Sequence, residues 1–268
     1  MRVTVITPSR NQGNYIEQCL RSVHGQTHTD IEHIVLDGLS TDHTAEVAAR
    51  FPCTFLQDKD TGPAQAINRG LEMATGDIVC WLNADDAFWS STTVERVVES
   101  FTKFPQVDVI TGNGYFVDEK GTFLQPILGT PERLSLRWIR RADYIFQPAT
   151  FWRRNQFRLD ESLHYCFDWR LWIEFLLAGL NLMYVPEYFA IYRLQPSSLT
   201  SQDNALRRRE VYEVVKRYDQ RRVQSFWCWL VWRMYQFAEK LGSRKIKRLA
   251  QVANGLMIRI TGNEIGSC

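Results

Sequence analysis

This sequence contains no Cys-x-x-Cys pair, no low-complexity tract and no run of about eighteen uninterrupted apolar residues. Its six cysteines, Cys19, Cys53, Cys80, Cys166, Cys228 and Cys268, are scattered. That spacing indicates neither a disulfide framework nor a zinc site. Several fall in apolar segments, where a thiol packs as a small hydrophobe, and reduced cysteines in a cytoplasmic setting are expected. The missing long apolar run argues against a spanning helix. Met1–Thr7 is a short β-rich run soon broken by Pro8, Arg10 and Asn11, which does not read as a secretory leader. With 45% hydrophobic and 23% charged residues, disorder is excluded as the main state. A chain of 268 residues can bury a substantial core.

What the sequence does contain is a strand–helix alternation. Arg2–Thr7 is β-branched and short, as a buried parallel strand is, and Pro8–Gly13 reads as a turn. Tyr15, Ile16, Cys19, Leu20 and Val23 recur at helical spacing. A second strand, Ile31–Leu36, ends at Asp37-Gly38, and Ser40-Thr41-Asp42 can cap the next helix. Thr54–Gln57 is a third strand, Ala64–Ala74 a helix, and Ile78–Leu82 a fourth strand running into Asn83-Ala84-Asp85-Asp86. Four such repeats predict a right-handed α/β sheet. Helical spacing returns over 94–104. Two β runs within Val107–Pro126 flank Asp118–Gly121 as a hairpin. Asp168–Ala178 reads as a helix, Leu182–Leu194 as a strand, 202–241 as one long helix and 244–260 as another.

Net charge is only +2, but it is unevenly spread. Residues 200–268 hold fourteen Lys and Arg against six Asp and Glu, a surplus of +8, while the rest holds eighteen against twenty-four, or −6. Such asymmetry often marks an anionic partner. Nothing pairs these cations with a nucleic-acid reading motif, so no nucleic-acid partner is expected. Domain boundaries are read as 1–200, with halves 1–106 and 107–200, followed by a basic, aromatic-rich helical extension over 201–268.

Ligands of open α/β sheets bind beyond the carboxyl ends of the strands. Asp37 and Asp85-Asp86 fall at such ends. Carboxylates there suit a nucleotide sugar, one set facing base or ribose and another holding Mg²⁺ or Mn²⁺ against the diphosphate. The plainer reading of any single one is a turn former or helix cap.

Five segments in order and spacing resemble the inverting family 2 glycosyltransferases. They are Ile6–Asn11, Asp37–Thr44, Asp60–Gly70, Gly76-Asp77-Ile78 and Trp81–Asp86. The resemblance implies a GT-A (Rossmann-like) fold: a mixed, mostly parallel sheet flanked by helices. It implies that Thr7, Pro8 and Arg10 line the nucleotide pocket and that Asp37 faces base or ribose. Asn68 would lie by the diphosphate or donor sugar. Asn83-Ala84-Asp85 would occupy the DxD position, with Asp85, helped by Asp86, holding the cation; Asn83 departs from the usual acid. Farther on, Gln147–Trp152 and Phe167–Trp172 resemble the acceptor-side pattern, in which Asp168 matches the general base. Its competing reading is a first-turn acid favoured by the helix dipole. Asp160 and Glu161 would order the loop. Tyr192–Thr200 resembles the segment closing the site, where Arg193 would contact the diphosphate, and Gln195 stands where many relatives have His.

The implied chemistry is metal-assisted transfer from a nucleotide-diphosphate sugar to a glycan or lipid-linked glycan, in bacterial surface polysaccharide or glycolipid assembly. Trp138, Trp152, Trp169 and Trp172 are candidates for sugar stacking or for core packing. The five histidines show no ligand spacing. The apolar, aromatic stretch 226–237, with basic flanks, suits a membrane interface at the inner face of the cytoplasmic membrane. Packing on the catalytic domain or on a second copy, as in a homodimer, is the alternative. Two rival functions remain: a non-catalytic sugar-nucleotide-binding scaffold, supported by Asn83 and Gln195, and a nucleotidyltransferase. The second would want a more glycine-rich, basic first loop than Ser9–Gly13 provides.

Overall fold

The computed structural model describes residues 1–195, 204–219 and 222–261. Its first half follows the predicted alternation: β1 (Val3–Ser9), α1 (Ile16–His24), β2 (Ile31–Asp37), α2 (Thr44–Ala48), β3 (Thr54–Gln57), α3 (Pro63–Met73) and β4 (Ile78–Trp81). Strand β1 runs through Pro8, which was expected to open the turn. β1 pairs with β2 and β4 on its two edges, and β2 pairs with β3, all parallel. From β1 the chain therefore winds outward to β3 and then returns to the other side of β1. The reversal leaves a switch point between β1 and β4, where the connecting loops diverge.

The second half mixes directions. β5 (Ala87–Phe88), α4 (Thr93–Lys103), β6 (Val109–Val117), β7 (Phe123–Ile127), α5 (Leu136–Ile139), β8 (Thr150–Arg153), α6 (Phe167–Leu177) and β9 (Leu182–Arg193) follow in order. Among the described residues the sheet runs β3-β2-β1-β4-β8-β6-β9-β5, with β7 on β6. β8 is antiparallel to both β4 and β6, whereas β6 and β9 are parallel. One edge of β6 is shared, its start pairing with β8 and its end with β7.

The C-terminal region forms α7 (Ala205–Tyr218), α8 (Arg222–Lys240) and α9 (Arg244–Thr261). The expected single helix over 202–241 is thus two, because Asp219 leaves α7 in extended geometry. The division drawn near residue 200 does not mark a break in the core. Val211, Val214 and Val215 of α7 and Cys228 of α8 join the cluster that packs the sheet, while Val231, Tyr235 and Ala250 form a small cluster with Ala205.

The tryptophan question resolves toward packing for three of the four. Trp152, Trp169 and Trp172 are at most 1% exposed. Trp81 and Trp172 stack with ring centres 5.7 Å apart, and Trp152 stands edge-on to both. Trp138 is half-buried, with the guanidinium groups of Arg133, Arg137 and Arg141 within 6.0 Å of its ring. Trp172 also carries a buried indole N–H without an acceptor among the described residues. Trp172→Ala is therefore expected to cost about 3–5 kcal/mol by cavity formation. Trp172→Phe removes the unmet donor together with some volume and is expected to cost much less; thermal melts of both variants check the pair.

Candidate active site

The carboxyl ends of β1, β2 and β4 lie together because Ser9 registers with Asp37 and Ile6 with Trp81. Asp37 closes β2 and is 2% exposed. One of its oxygens accepts from the Ser40 hydroxyl, the other from the Ser40 N–H at 2.8 Å and Gln57 Nε2 at 2.9 Å. Its carboxylate thereby shapes the loop toward α2, while Asp42 accepts from Gly13 N–H and Thr44 N–H and fixes the loop after β1.

Asp60, in the loop after β3, reaches the same corner. Its carboxyl is raised by burial, and the charges of Arg10 and Asp37 act on it in opposite senses. A Cβ on Gly38 would fall 2.6 Å from Asp60 Oδ2, so glycine at 38 permits the approach. Asp60 was read only as part of a motif; its signal was the one that exposed Asp37, an acid just past a strand end.

Of the residues expected on the first loop, Arg10 is exposed and Pro8 half-buried. Thr7 is fully buried, and its hydroxyl lies 2.9 Å from His33 Nε2. Burial pushes His33 down to about 3, so it is a neutral core histidine. The Thr7 hydroxyl is therefore engaged within the interior. Asn68, expected near the donor, is also buried. Its amide donates to Leu159 C=O and Glu161, and its oxygen accepts from Leu159 N–H at 2.8 Å, tying α3 to the loop before α6. In that loop Asp160 accepts from Ser162 and pairs with Arg170.

At the end of β4, Ala84 is buried and Asn83 half-buried, its amide donating to Asp86 Oδ2 at 3.0 Å. Asp86 is 2% exposed, and its second oxygen accepts from Arg193 N–H. Both oxygens thus face inward, which counts against the expected metal role. Burial raises its carboxyl well above the usual range, and the charge of Asp85 adds to this. Asp85 itself is half-buried, raised by burial, and accepts from Gln195 Nε2 at 2.6 Å. Arg193 was expected at the diphosphate. Instead it is 3% exposed and donates to the carbonyls of Asp85, Asp118 and Glu119 and to Gln18, so its fork is spent within the protein.

No group of three His, Cys, Asp or Glu that could hold a metal occurs among the described residues. A donor set of one half-buried carboxylate does fit a Mg²⁺ or Mn²⁺ ion whose remaining ligands are phosphate oxygens and water.

Asp168 lies in the first turn of α6, where its Oδ1 accepts from Trp169 N–H. Burial raises its carboxyl to about 6 against the lowering pull of Arg207, with Glu210 pushing it up. Asp143, beyond α5, is raised well above the usual range by burial and by the charge of Asp168. Arg207 and Glu210 belong to α7, which sequence reasoning had placed outside the catalytic domain.

A twisted sheet with its switch point between β1 and β4, and carboxylates at the ends of β2 and β4, defines the GT-A class of α/β fold. The sequence model of glycosyl transferase family 2 matches residues 4–175, and the chain belongs to that family. A Nostoc glycosyltransferase is 32% identical over 139 residues, covering 46% of this chain and 41% of its own length. A Bacillus subtilis protein named for teichuronic acid biosynthesis is 28% identical over 208 residues, covering 74% and 81%. The chain spans less than half the length of the Nostoc relative and 19% of a Streptococcus pneumoniae glycosyltransferase. Among solved structures, Staphylococcus aureus TarS with UDP-GlcNAc superposes with a TM-score of 0.65 at 17% identity, over 89% of this chain and 73% of TarS. A Pyrobaculum calidifontis mannosyltransferase with GDP-Man and Mn²⁺ gives 0.63 at 17%, over 95% and 74%. At these identities the likeness is one of fold.

Removing the Asn68 side chain would strand the N–H and C=O of Leu159, itself 4% exposed. Asn68→Ala is therefore expected to cost about 1–3 kcal/mol of stability. Denaturant melts check this, and a loss confined to donor affinity at unchanged stability would return Asn68 to the donor site.

Proposed function

We propose that this protein is an inverting glycosyltransferase that moves a sugar from a nucleotide-diphosphate donor to a hydroxyl of a glycan or lipid-linked glycan. The observation that carries the reading is Asp168, a first-turn carboxylate raised to about 6 on a segment separate from Asp85. A base works best when its pKa lies near the working pH. Asp168 takes the acceptor proton as that oxygen attacks the anomeric carbon opposite the leaving diphosphate. The attack inverts the anomeric centre without a covalent enzyme intermediate. Asp37 and Asp60 order the nucleotide corner and leave Arg10 exposed beside it. Asp85 would hold the divalent cation, which supplies compensation for charge gathering on the diphosphate. The setting is cytoplasmic, in bacterial surface polysaccharide or glycolipid assembly, as the name of the Bacillus relative suggests for that protein.

Incubation with Mn²⁺ and a panel of UDP-, GDP- and dTDP-sugars, following release of nucleoside diphosphate, tests the reading. One donor is expected to be hydrolysed slowly, with the activity lost in Asp85→Ala and Asp168→Asn. Below about pH 6 the rate should fall roughly tenfold per unit, because only the ionised base is competent. Absence of binding to every nucleotide sugar by folded protein would refute the reading.

No described helix is long and apolar enough to cross a membrane. α8 instead buries Cys228, Val231, Tyr235 and Ala238 and exposes Phe226, Trp229 and Phe237. Cationic Arg233 and Lys240 are exposed along the same helix. This exposed stripe rests on an anionic membrane surface, bringing the site to a lipid-linked acceptor. Co-sedimentation with phosphatidylglycerol vesicles is expected, weaker with phosphatidylcholine or salt, and abolished in a Phe226→Ser, Trp229→Ser, Phe237→Ser variant. A lipid-free dimer dissolved by the same changes would assign the stripe to a second copy.

A further inference from the structure

Asp168 follows a turn whose backbone is bonded to α7. The residues leading into α6, His164, Tyr165 and Cys166, each present a backbone N–H to one carboxylate. Glu210, two turns into α7 and 3% exposed, accepts from His164 at 2.9 Å through Oε1. Through Oε2 it accepts from Tyr165 at 2.8 Å and from Cys166 at 3.1 Å. His164 Nδ1 is also 3.7 Å from Oε1. The Asn204 side chain, which caps α7, donates to Tyr165 Oη at 2.6 Å. A carboxylate buried this completely is costly unless it is met by several donors. Here the donors come from the turn two residues before the base, so the cost and the position of the turn are linked.

We propose that Glu210 is a positioning residue for glycosyl transfer: it clamps the 164–166 turn and thereby sets where Asp168 stands, making α7 part of the active site. The inference rests on Asp168 being the base. The groups that face Asp168 are Asp143 from the segment after α5, and Arg207 and Glu210 from α7. The negative charge of Glu210 disfavours ionisation of Asp168, so its removal lowers the Asp168 pKa.

The test compares wild type with Glu210→Gln, which keeps the shape and one acceptor, and Glu210→Ala, which keeps neither. Carboxyl-¹³C aspartate labelling follows the titration of Asp168, its signal assigned by its absence in Asp168→Asn; this arm needs no substrate. Turnover of the donor identified by the panel gives kcat and KM. In both variants Asp168 is expected to titrate below the wild-type value of about 6. kcat should fall roughly tenfold to hundredfold, more in Ala than in Gln, with donor KM little changed. Amide exchange at 164–166 should rise in both. Unchanged titration and unchanged kcat in folded variants would overturn the proposal. So would a lower melting temperature with titration unmoved, since that is what a merely structural glutamate gives. If Asp168→Asn keeps wild-type turnover, it is the base assignment that fails, whatever the Glu210 variants do.

Discussion

The loop after β4 meets the end of β9 where β5 pairs with β9, and a buried carboxylate and a buried guanidinium tie the two segments together. Asp86 accepts from the Arg193 N–H and from the Asn83 amide, while the Arg193 side chain gathers the carbonyls of Asp85, Asp118 and Glu119. These groups span the loop after β4, the β6–β7 turn and the last residue of β9. Charges buried at this depth are expensive unless every lone pair and proton is met, and here donors and acceptors come from three segments at once. Asp85 is what this arrangement presents. Its backbone carbonyl is held by Arg193 and its carboxylate by Gln195, so the one acid of the pair that reaches the site surface has its direction set by two neighbours on the β9 side. Removing the Asp86 carboxylate would strand the Arg193 backbone N–H, and removing the Arg193 side chain would strand the carbonyls of Asp85, Asp118 and Glu119.

Most of the fold could be read from hydrophobic period and turn chemistry. β3 and the hairpin at Asp118–Gly121 fall where they were expected, and β4 differs by one residue at its end. Elements built from very short pairings were missed. β5 is two residues and β8 is four, and their strand character comes from the β9 and β6 edges rather than from any local pattern. The break after α7 was likewise illegible, since charged and apolar residues continue at helical spacing through Asp219.

The site was legible in type and less so in detail. Acids at the ends of β2 and β4 were recognisable because strand ends are where an open sheet binds ligands. Which acid of a neighbouring pair turns inward is decided by pairing 107 residues away, and no local signal carries that. Thr7 and Asn68 matched a pattern for residues near a donor, yet their side chains are consumed by His33 and Leu159. Sequence spacing locates a residue along a strand or helix. The side of the element it faces depends on what packs there.

The basic surplus of the C-terminal third shows the same effect on a larger scale. Arg207 is buried and faces Asp168. Arg208 lies over the Tyr235 ring, Arg209 pairs with Glu213, and Arg217 lies over Tyr218. The +8 is therefore not one patch; part of it is absorbed in holding α7 against α6 and α8. Arg233, Lys240, Arg244, Lys245 and Arg248 remain exposed on α8 and α9, together with Phe226, Trp229, Phe237 and Leu241. Each such cation is worth about 1 kcal/mol beside an anionic bilayer, and exposed aromatic rings add insertion energy that salt does not screen. On the membrane-surface reading proposed above the two contributions add, whereas a second copy of α8 would bring its own Arg233 and Lys240 against these. Like charges facing across an interface favour lipid over self-association at low salt.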